Sequence, residues 1–514
     1  TWVGLSVPFL FLMITHRLDL DFWLDEMMSI IRHIKPSVRS IIFSYPAPNN
    51  HVFSNLLSNI YLRLIGIRDL KLVLENPYIL RLPYFLSGLL AVYVTAYTAH
   101  KHIGKWAGYI TVILFTTTIP LANFLAQVRG YSFSILFSSL LVLSTLEYEK
   151  TESWQPVVSI ILSSFLLLYT IPSNIYFVLG MVLYFVFREV WSGSFFRVGK
   201  LSVRADQFSV LGKGKTVIFS LGVGMVMAVL FYLPVIRRII NNKYVLTEGL
   251  FQGTVFQTVL KGYLQHVISG RLGITLVAML GLIWLMVQTI GEKDRAKGFL
   301  IHYNLMVFFL PFVVSFIRGD DPFERTFLVS LPSLILIAVL GIDHVLEKLA
   351  HWFSSEWRLH TVLLGGLFLI MNGSFLSVHQ GIRKEISENL HQEQIEQVEY
   401  HDQRMWASHF LEHYHILPII HTAEKNNQDL PFYLDEENTR YPWVMIAYFQ
   451  EFGYPIIDFT DPITIEEPQG YVVVSYAEES TAEIKQSFPG AECSFVDEDV
   501  SIYRVLSCQF FDPN

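Results

Sequence analysis

Long apolar runs separated by short polar ones set the pattern of this chain. A bilayer core asks for about 20 apolar residues per helix, with shorter runs serving at tilted spans. Runs of this kind fall at 1–15, 79–99, 106–124, 131–147, 156–171, 174–188, 216–236, 272–290, 299–317, 326–345 and 360–378, which predicts about eleven transmembrane helices. The stretch 22–66 is also fairly apolar, but Arg32, His33, Lys35, Arg39 and Arg63 interrupt it. It reads as two amphipathic helices lying at the membrane interface, with Pro46 and Pro48 between them.

Beyond 378 the pattern changes, and 379–514 reads as a separate soluble α/β domain behind a polar helical linker at 385–415. Stretches 431–435 and 471–476 are strand-like, and 441–452 and 481–488 are helix-like. The segments 491–496 and 501–506 flank the acidic turn Asp497-Glu498-Asp499 and suggest a hairpin. The acids of this tail are scattered as on a solvated face, and none is expected to be catalytic.

Composition narrows the class. Of 514 residues 16% are charged, against about 25% in soluble domains, so the chain reads as a polytopic α-helical membrane protein. The net charge of −8 is mild and unevenly placed, and there is no basic tail, zinc-ligand spacing or phosphate loop, which excludes a nucleic-acid partner. Cys493 and Cys508 have no flanking metal-ligand pattern; a disulfide between them stays open, with two free thiols the leading expectation. Residues 1–14 lack a basic start and a small-residue cleavage site, so no cleavable signal is expected.

Lysine and arginine placement sets orientation. With the N-terminus inside, the cytoplasmic face receives Lys101 and Lys105, the group from Arg188 to Lys215, then Lys293, Arg295 and Lys297, and lastly Lys348 and Arg358. The first loop and the tail then lie outside. Arg237, Arg238, Lys243, Lys261 and Arg271 would also lie outside, against the rule, in a long loop suited to anionic head groups.

Under this topology the unusual polar residues collect on the outer side. Four carboxylates, Asp19, Asp21, Asp25 and Glu26, follow the first span within eight residues. Asn50 and His51 begin the second amphipathic helix, and Arg81 opens the second span. Gln127-Val128-Arg129-Gly130-Tyr131 lies where the third span meets the fourth. Arg318, Asp320, Asp321, Glu324 and Arg325 lie between the ninth and tenth. Charge near a bilayer is costly and tends to persist where it does chemistry. Carboxylates beside arginines suit a reaction in which a base takes a proton while an anion departs. Each residue also has a plainer reading. Asp19 and Asp21 read best as solvated carboxylates at a helix start. His51 also reads as a satisfied interface histidine, Arg81, Arg129 and Arg325 as snorkelling cations on ordinary lipid phosphate, and Tyr131 as an interface aromatic.

Taken in order, Phe22-Trp23-Leu24-Asp25-Glu26, Asn50-His51, Arg81-Leu82-Pro83 and Gln127-Val128-Arg129-Gly130-Tyr131 resemble the integral-membrane glycosyltransferases of the GT-C fold, nearest the protein O-mannosyltransferase and aminoarabinose-transferase group. The resemblance covers about 1–378. Asn50-His51-Val52-Phe53 departs from it in lacking two prolines, and Thr170-Ile171-Pro172-Ser173-Asn174 lacks the histidine some relatives carry there. A Trp-Trp-Asp motif is absent, which disfavours transfer of a whole glycan to asparagine.

The resemblance implies inverting transfer of one sugar from a polyprenyl-phosphate donor to the hydroxyl of a lipid, glycan or protein acceptor. The expected setting is the bacterial inner membrane, with the site on its outer face. Asp25 would act as base, helped by Glu26. Arg129 and Arg325, with Arg81, would hold the donor phosphate, while His51, Asn50 and Tyr131 would contact sugar or acceptor. No cofactor is expected to be obligatory, although Asp19, Asp21 and Asp25 offer a divalent cation (Mg2+ or Mn2+) a place. Rival readings are a lipid or glycan transporter or flippase, and a polysaccharide polymerase or ligase drawing on a diphosphate-linked donor. The transporter would call for charges at mid-membrane and pseudo-symmetric halves, and neither is seen in the sequence.

Overall fold

The structure, a computed structural model, describes residues 2–22, 24–45, 50–125, 127–191, 202–204, 207–209, 212–241, 255–268, 271–292, 295–319, 324–350, 356–389, 416–417, 420–421, 432–434, 442–454, 456–458, 469–474, 482, 491–495 and 504–509. All eleven apolar runs are helical. Among the described residues seven helices are long and apolar enough to cross a membrane. An eighth arises if Lys105–Thr116 and Ile119–Leu125 count as one span, and Trp2–Thr15, Trp154–Thr170 and Leu272–Gln288 are shorter apolar helices. The chain is an integral membrane protein.

Tyr131–Thr151 is the most enclosed of the spans, 83% buried, and His360–Ser377 the least, 28%. Small hydroxyls let the central helix approach its neighbours closely. Ser132 pairs with Ser87 at 3.1 Å and Ser139 with Thr95 at 3.0 Å, both across to Tyr78–His102. Gly88 on that same helix leaves room for Leu125, whose Cγ would stand 2.1 Å from a Cβ there.

Several expectations are corrected. The run 106–124 is not one straight span but bends by 68° after Thr116. Thr116, Thr117 and Thr118 each bond back to the carbonyl four residues earlier, closing the first helix with their side chains. Pro120 then sits in the first turn of the second helix, where its missing N–H costs nothing. Ile119–Leu125 after the bend is buried along its whole length.

The stretch 22–66 holds more than two interfacial helices. Leu24–Ser29 runs into a π-helical turn, Ile30–Ile34, followed by Val38–Phe43 and Val52–Leu64. In Val52–Leu64 the polar stripe faces inward: Ser54, Asn55, Ser58 and Asn59 are buried, while Ile60 and Leu64 are exposed. Asn59 donates to the carbonyls of Ile34 and Pro36, and Ser58 meets the Tyr84 hydroxyl at 2.7 Å. Asp21, expected to be solvated, is buried, whereas Asp19 is exposed.

The C-terminal region holds a five-stranded mixed sheet in the order 456–458, 432–434, 469–474, 504–509, 492–495. The first three strands are parallel, and the last two close it as antiparallel neighbours. Strand Ile456–Asp458 was not expected, and the second strand of the hairpin lies three residues further along than the sequence pattern suggested, while the first falls where it was expected. That register sets Cys493 opposite Cys508, and the two form a disulfide rather than free thiols. Helix Pro442–Glu451 packs Val444, Met445, Tyr448 and Phe449 into the core. Helix Glu356–Asn389 runs through the expected boundary at 378. Most of the expected linker at 385–415, the expected helix at 481–488, and Asp320 and Asp321 lie outside the described residues.

Candidate active site

Asp25, Arg129 and Arg325 come together although the chain spreads them over three hundred residues. Asp25 begins the helix Leu24–Ser29, where the helix dipole favours a carboxylate. Its side chain is 20% exposed, and its Oδ2 lies 3.5 Å from Arg129 Nη1 and 3.8 Å from Arg325 Nη2. Arg129 is 4% exposed and also reaches the Asp25 carbonyl at 3.4 Å. Arg325 rides on the 3-10 turn Glu324–Ser330, anchored by Phe327, which stacks on Phe312 with ring centres 4.1 Å apart. One partly open carboxylate thus faces two guanidinium groups, an arrangement that an incoming phosphate can enter.

The loop carrying Arg129 is held from both sides. Glu26, fully buried, accepts the Val128 N–H at 2.8 Å. His51 Nδ1 accepts the Gly130 N–H at 2.7 Å, which fixes the ring proton on Nε2. Gly130 has no substitute here, because a Cβ would stand 2.7 Å from Thr170 Cγ2 and 3.1 Å from His51 Nδ1. Tyr131 meets the His51 ring edge to face at 5.4 Å, and the Arg129 guanidinium lies 5.7 Å from the Tyr131 ring centre.

Burial first, then the fields of Arg129, Arg325 and His33, hold the His51 pKa well below the usual 6.5. The folded protein therefore refuses a proton that the unfolded chain takes up below about pH 6.5. The unfolded state binds more protons there, so stability falls as pH drops below that value. Thermal unfolding followed from about pH 7.5 to 5.5 should show this slope, and His51→Gln should flatten it. An unchanged slope in the variant would assign the acid sensitivity to other groups.

Arg81 and Asn50 stand behind this cluster rather than in it. Arg81 is fully buried and grips Glu26 with two bonds, Nε to Oε1 at 3.2 Å and Nη2 to Oε2 at 2.9 Å. Its remaining donors reach the carbonyls of Arg17 and Leu18 at 3.3 Å, Asp21 at 3.0 Å, and Leu20. Asn50 is also fully buried, donating to the Ser44 carbonyl at 2.8 Å and accepting from Asn55. Arg318 lies on Tyr176, with Nη1 3.3 Å from the hydroxyl.

Tyr45 escaped the sequence reading, and Arg271 was expected only in an outer loop suited to anionic head groups. Tyr45 is buried, and burial pushes its phenol above the ordinary value while Arg129 pulls it down. Arg271, just before the helix Leu272–Glu292, is buried with Nη1 3.5 Å from Thr118 Oγ1, and burial pushes its pKa down to about 9. Neither lies in a recognisable motif. A Tyr-Pro pair and a lone arginine before an apolar run were the available signals. Among the described residues no group of three or more His, Cys, Asp or Glu could hold a metal ion.

No protein-family model matches the sequence, and no curated protein matches it. Solved structures do. ArnT from Cupriavidus metallidurans in the apo state matches 98% of this chain and 97% of its own, at 12% identity and a TM-score of 0.53. The same protein bound to undecaprenyl phosphate matches 98% of each chain, at 13% identity and a TM-score of 0.56. The Archaeoglobus fulgidus oligosaccharyltransferase in the apo form matches 90% of this chain and 64% of its own, at 9% identity and a TM-score of 0.46. The ArnT likeness runs over nearly the full chain, and the protein has the GT-C fold.

Proposed function

We propose that this protein is an inverting glycosyltransferase that moves one sugar from a polyprenyl-phosphate donor to an acceptor hydroxyl. The observation that carries the reading is the Asp25 carboxylate, partly open and 3.5 and 3.8 Å from Arg129 and Arg325. The binding of undecaprenyl phosphate by ArnT, which shares the fold, supports a lipid phosphate as donor. The disulfide Cys493–Cys508 supports a non-cytoplasmic face for the C-terminal region, since such bonds persist in oxidising compartments. That region packs against the segment leading to Asp25, so both share one side of the membrane.

The donor phosphate enters between Arg129 and Arg325 and takes over the guanidinium groups that Asp25 engages at rest. The acceptor oxygen attacks the anomeric carbon while Asp25 takes its proton. A new C–O bond forms as the bond from the anomeric carbon to the phosphate oxygen breaks, and configuration inverts in the single displacement. The polyprenyl phosphate leaves with one more negative charge, which the two arginines stabilise in place. His51 Nε2–H is available as a neutral donor to sugar or acceptor. Tyr131 shapes the same wall. Arg81 and Glu26 act from behind by fixing Val128 and hence Arg129, and Asn50 fixes the start of the helix that carries His51.

Arg129→Ala tests the reading. Removing a charge-assisted contact to phosphate costs about 1.5–3 kcal/mol, so transfer at low donor concentration should fall about tenfold to a hundredfold. The measurement is donor-dependent transfer in lipid with the purified variant. An unchanged rate would move Arg129 to an anchoring role in ordinary lipid.

A further inference from the structure

The segment Leu20–Phe22 faces two ways, and this gives the C-terminal region a role. Toward that region, the Asp21 carboxylate Oδ2 accepts the backbone N–H of Ile416 at 2.6 Å and of Leu417 at 3.0 Å. The Phe22 N–H donates to the Tyr448 hydroxyl at 2.6 Å. Lys35 pairs with Glu451, and Lys71 lies 4.7 Å from the centre of the Phe452 ring. Toward the site, the carbonyl of Asp21 accepts from Arg81 at 3.0 Å, and the Phe22 ring lies 4.7 Å beneath that guanidinium. Arg81 holds Glu26, and Glu26 holds the Val128 N–H next to Arg129. Asp21, Tyr448, Arg81 and Glu26 are all buried, so water competes poorly for these bonds. Burial pushes the Asp21 carboxyl up to about 7 against the pull of the two N–H groups and Arg81. A carboxyl so placed is costly unless it is bonded.

We propose that Asp21 is a positioning residue through which the C-terminal region sets the placement of Arg129, by the path Ile416/Leu417, Asp21, Arg81, Glu26 and Val128. The effect on catalysis rests on the function proposed above, whereas the mechanical coupling does not. The C-terminal region is then a working part of the transferase, holding the phosphate-side loop in register from outside the bundle. The acceptance of two N–H groups is what matters at Asp21. An amide oxygen does this as well as a carboxylate oxygen, and a methyl group does not.

The test uses the full chain in lipid nanodiscs with Asp21→Ala, Asp21→Asn and Tyr448→Phe. Hydrogen exchange is followed in the segment 127–131, and transfer is assayed from a polyprenyl-phosphate sugar. Asp21→Ala should speed exchange at the Val128 amide about tenfold, with the thermal midpoint little changed, and should lower kcat. Asp21→Asn should keep both readouts at the wild-type level. Tyr448→Phe, which removes one acceptor while keeping the ring, should loosen the same segment to a smaller degree, and it decides the matter if Asp21→Ala does not fold. Exchange that rises only within 416–454, with 127–131 unmoved in both Asp21→Ala and Tyr448→Phe, would overturn the proposal. So would an Asp21→Asn protein as impaired as Asp21→Ala. If the exchange pattern holds but wild-type protein transfers no sugar, the coupling stands and the transferase reading falls.

Discussion

Asp25→Asn should give a folded protein whose sugar transfer falls by about 10²- to 10⁴-fold, the range that a positioned base contributes. The amide keeps the shape of the side chain and can still occupy the space between Arg129 and Arg325, so the fold is not at stake. What it loses is the ability to take a proton from the attacking hydroxyl. The same substitution should strengthen binding of the bare lipid phosphate. At rest the carboxylate competes with any phosphate for two guanidinium groups 3.5 and 3.8 Å away, and an amide does not. Lost turnover with equal or tighter binding of undecaprenyl phosphate is therefore the expected pair of results. Full activity would remove Asp25 from the role of base, and weakened binding would mean that it organises the arginines rather than competing for them.

Arg81→Ala should act on stability before it acts on chemistry. Both partners of the Arg81–Glu26 pair are fully buried, and removing one partner of such a pair costs about 3–5 kcal/mol, because a charge is left without compensation. Four carbonyls lose a donor at the same time. Arg81→Lys should recover little, since a point charge cannot serve Glu26 in bidentate fashion and the carbonyls together. Joint replacement by Arg81→Met and Glu26→Met should recover much of the stability, while the Val128 N–H still lacks its acceptor. Thermal unfolding of the single and double variants in one lipid makes the comparison. A stable Arg81→Ala protein with weakened lipid-phosphate binding would return Arg81 to the phosphate-holding role expected from the sequence.

The helices were legible because a bilayer imposes length and apolarity on any segment that crosses it. The bend after Thr116 was not, because threonines and a following Ile-Pro disturb neither requirement. For Val52–Leu64 the sequence displayed a polar stripe and an apolar one without saying which faced the protein. Facing lipid reverses the usual sense, and Ser54, Asn55, Ser58 and Asn59 turned inward. The convergence of Asp25, Arg129 and Arg325 could be read from loop order alone, since all three sit at the same end of their spans. The pairing of Arg81 with Glu26 could not, because nothing local distinguishes an arginine that meets a ligand from one that meets a carboxylate 55 positions away. The Cys493–Cys508 bridge ranked below free thiols through the placing of one turn: a hairpin centred two residues later sets the two cysteines face to face.

The bonds around Gln127–Gly130 also carry a timetable. Val128 waits for a partner made 102 residues earlier, and Gly130 for one made 79 residues earlier. Asp21 meets its backbone partners only 395 and 396 residues later. A chain still being inserted can therefore assemble the bracket around Arg129 long before its outermost brace exists. On the coupling proposed above, removal of the segment that carries Ile416 and Leu417 would be felt at a loop almost three hundred residues away.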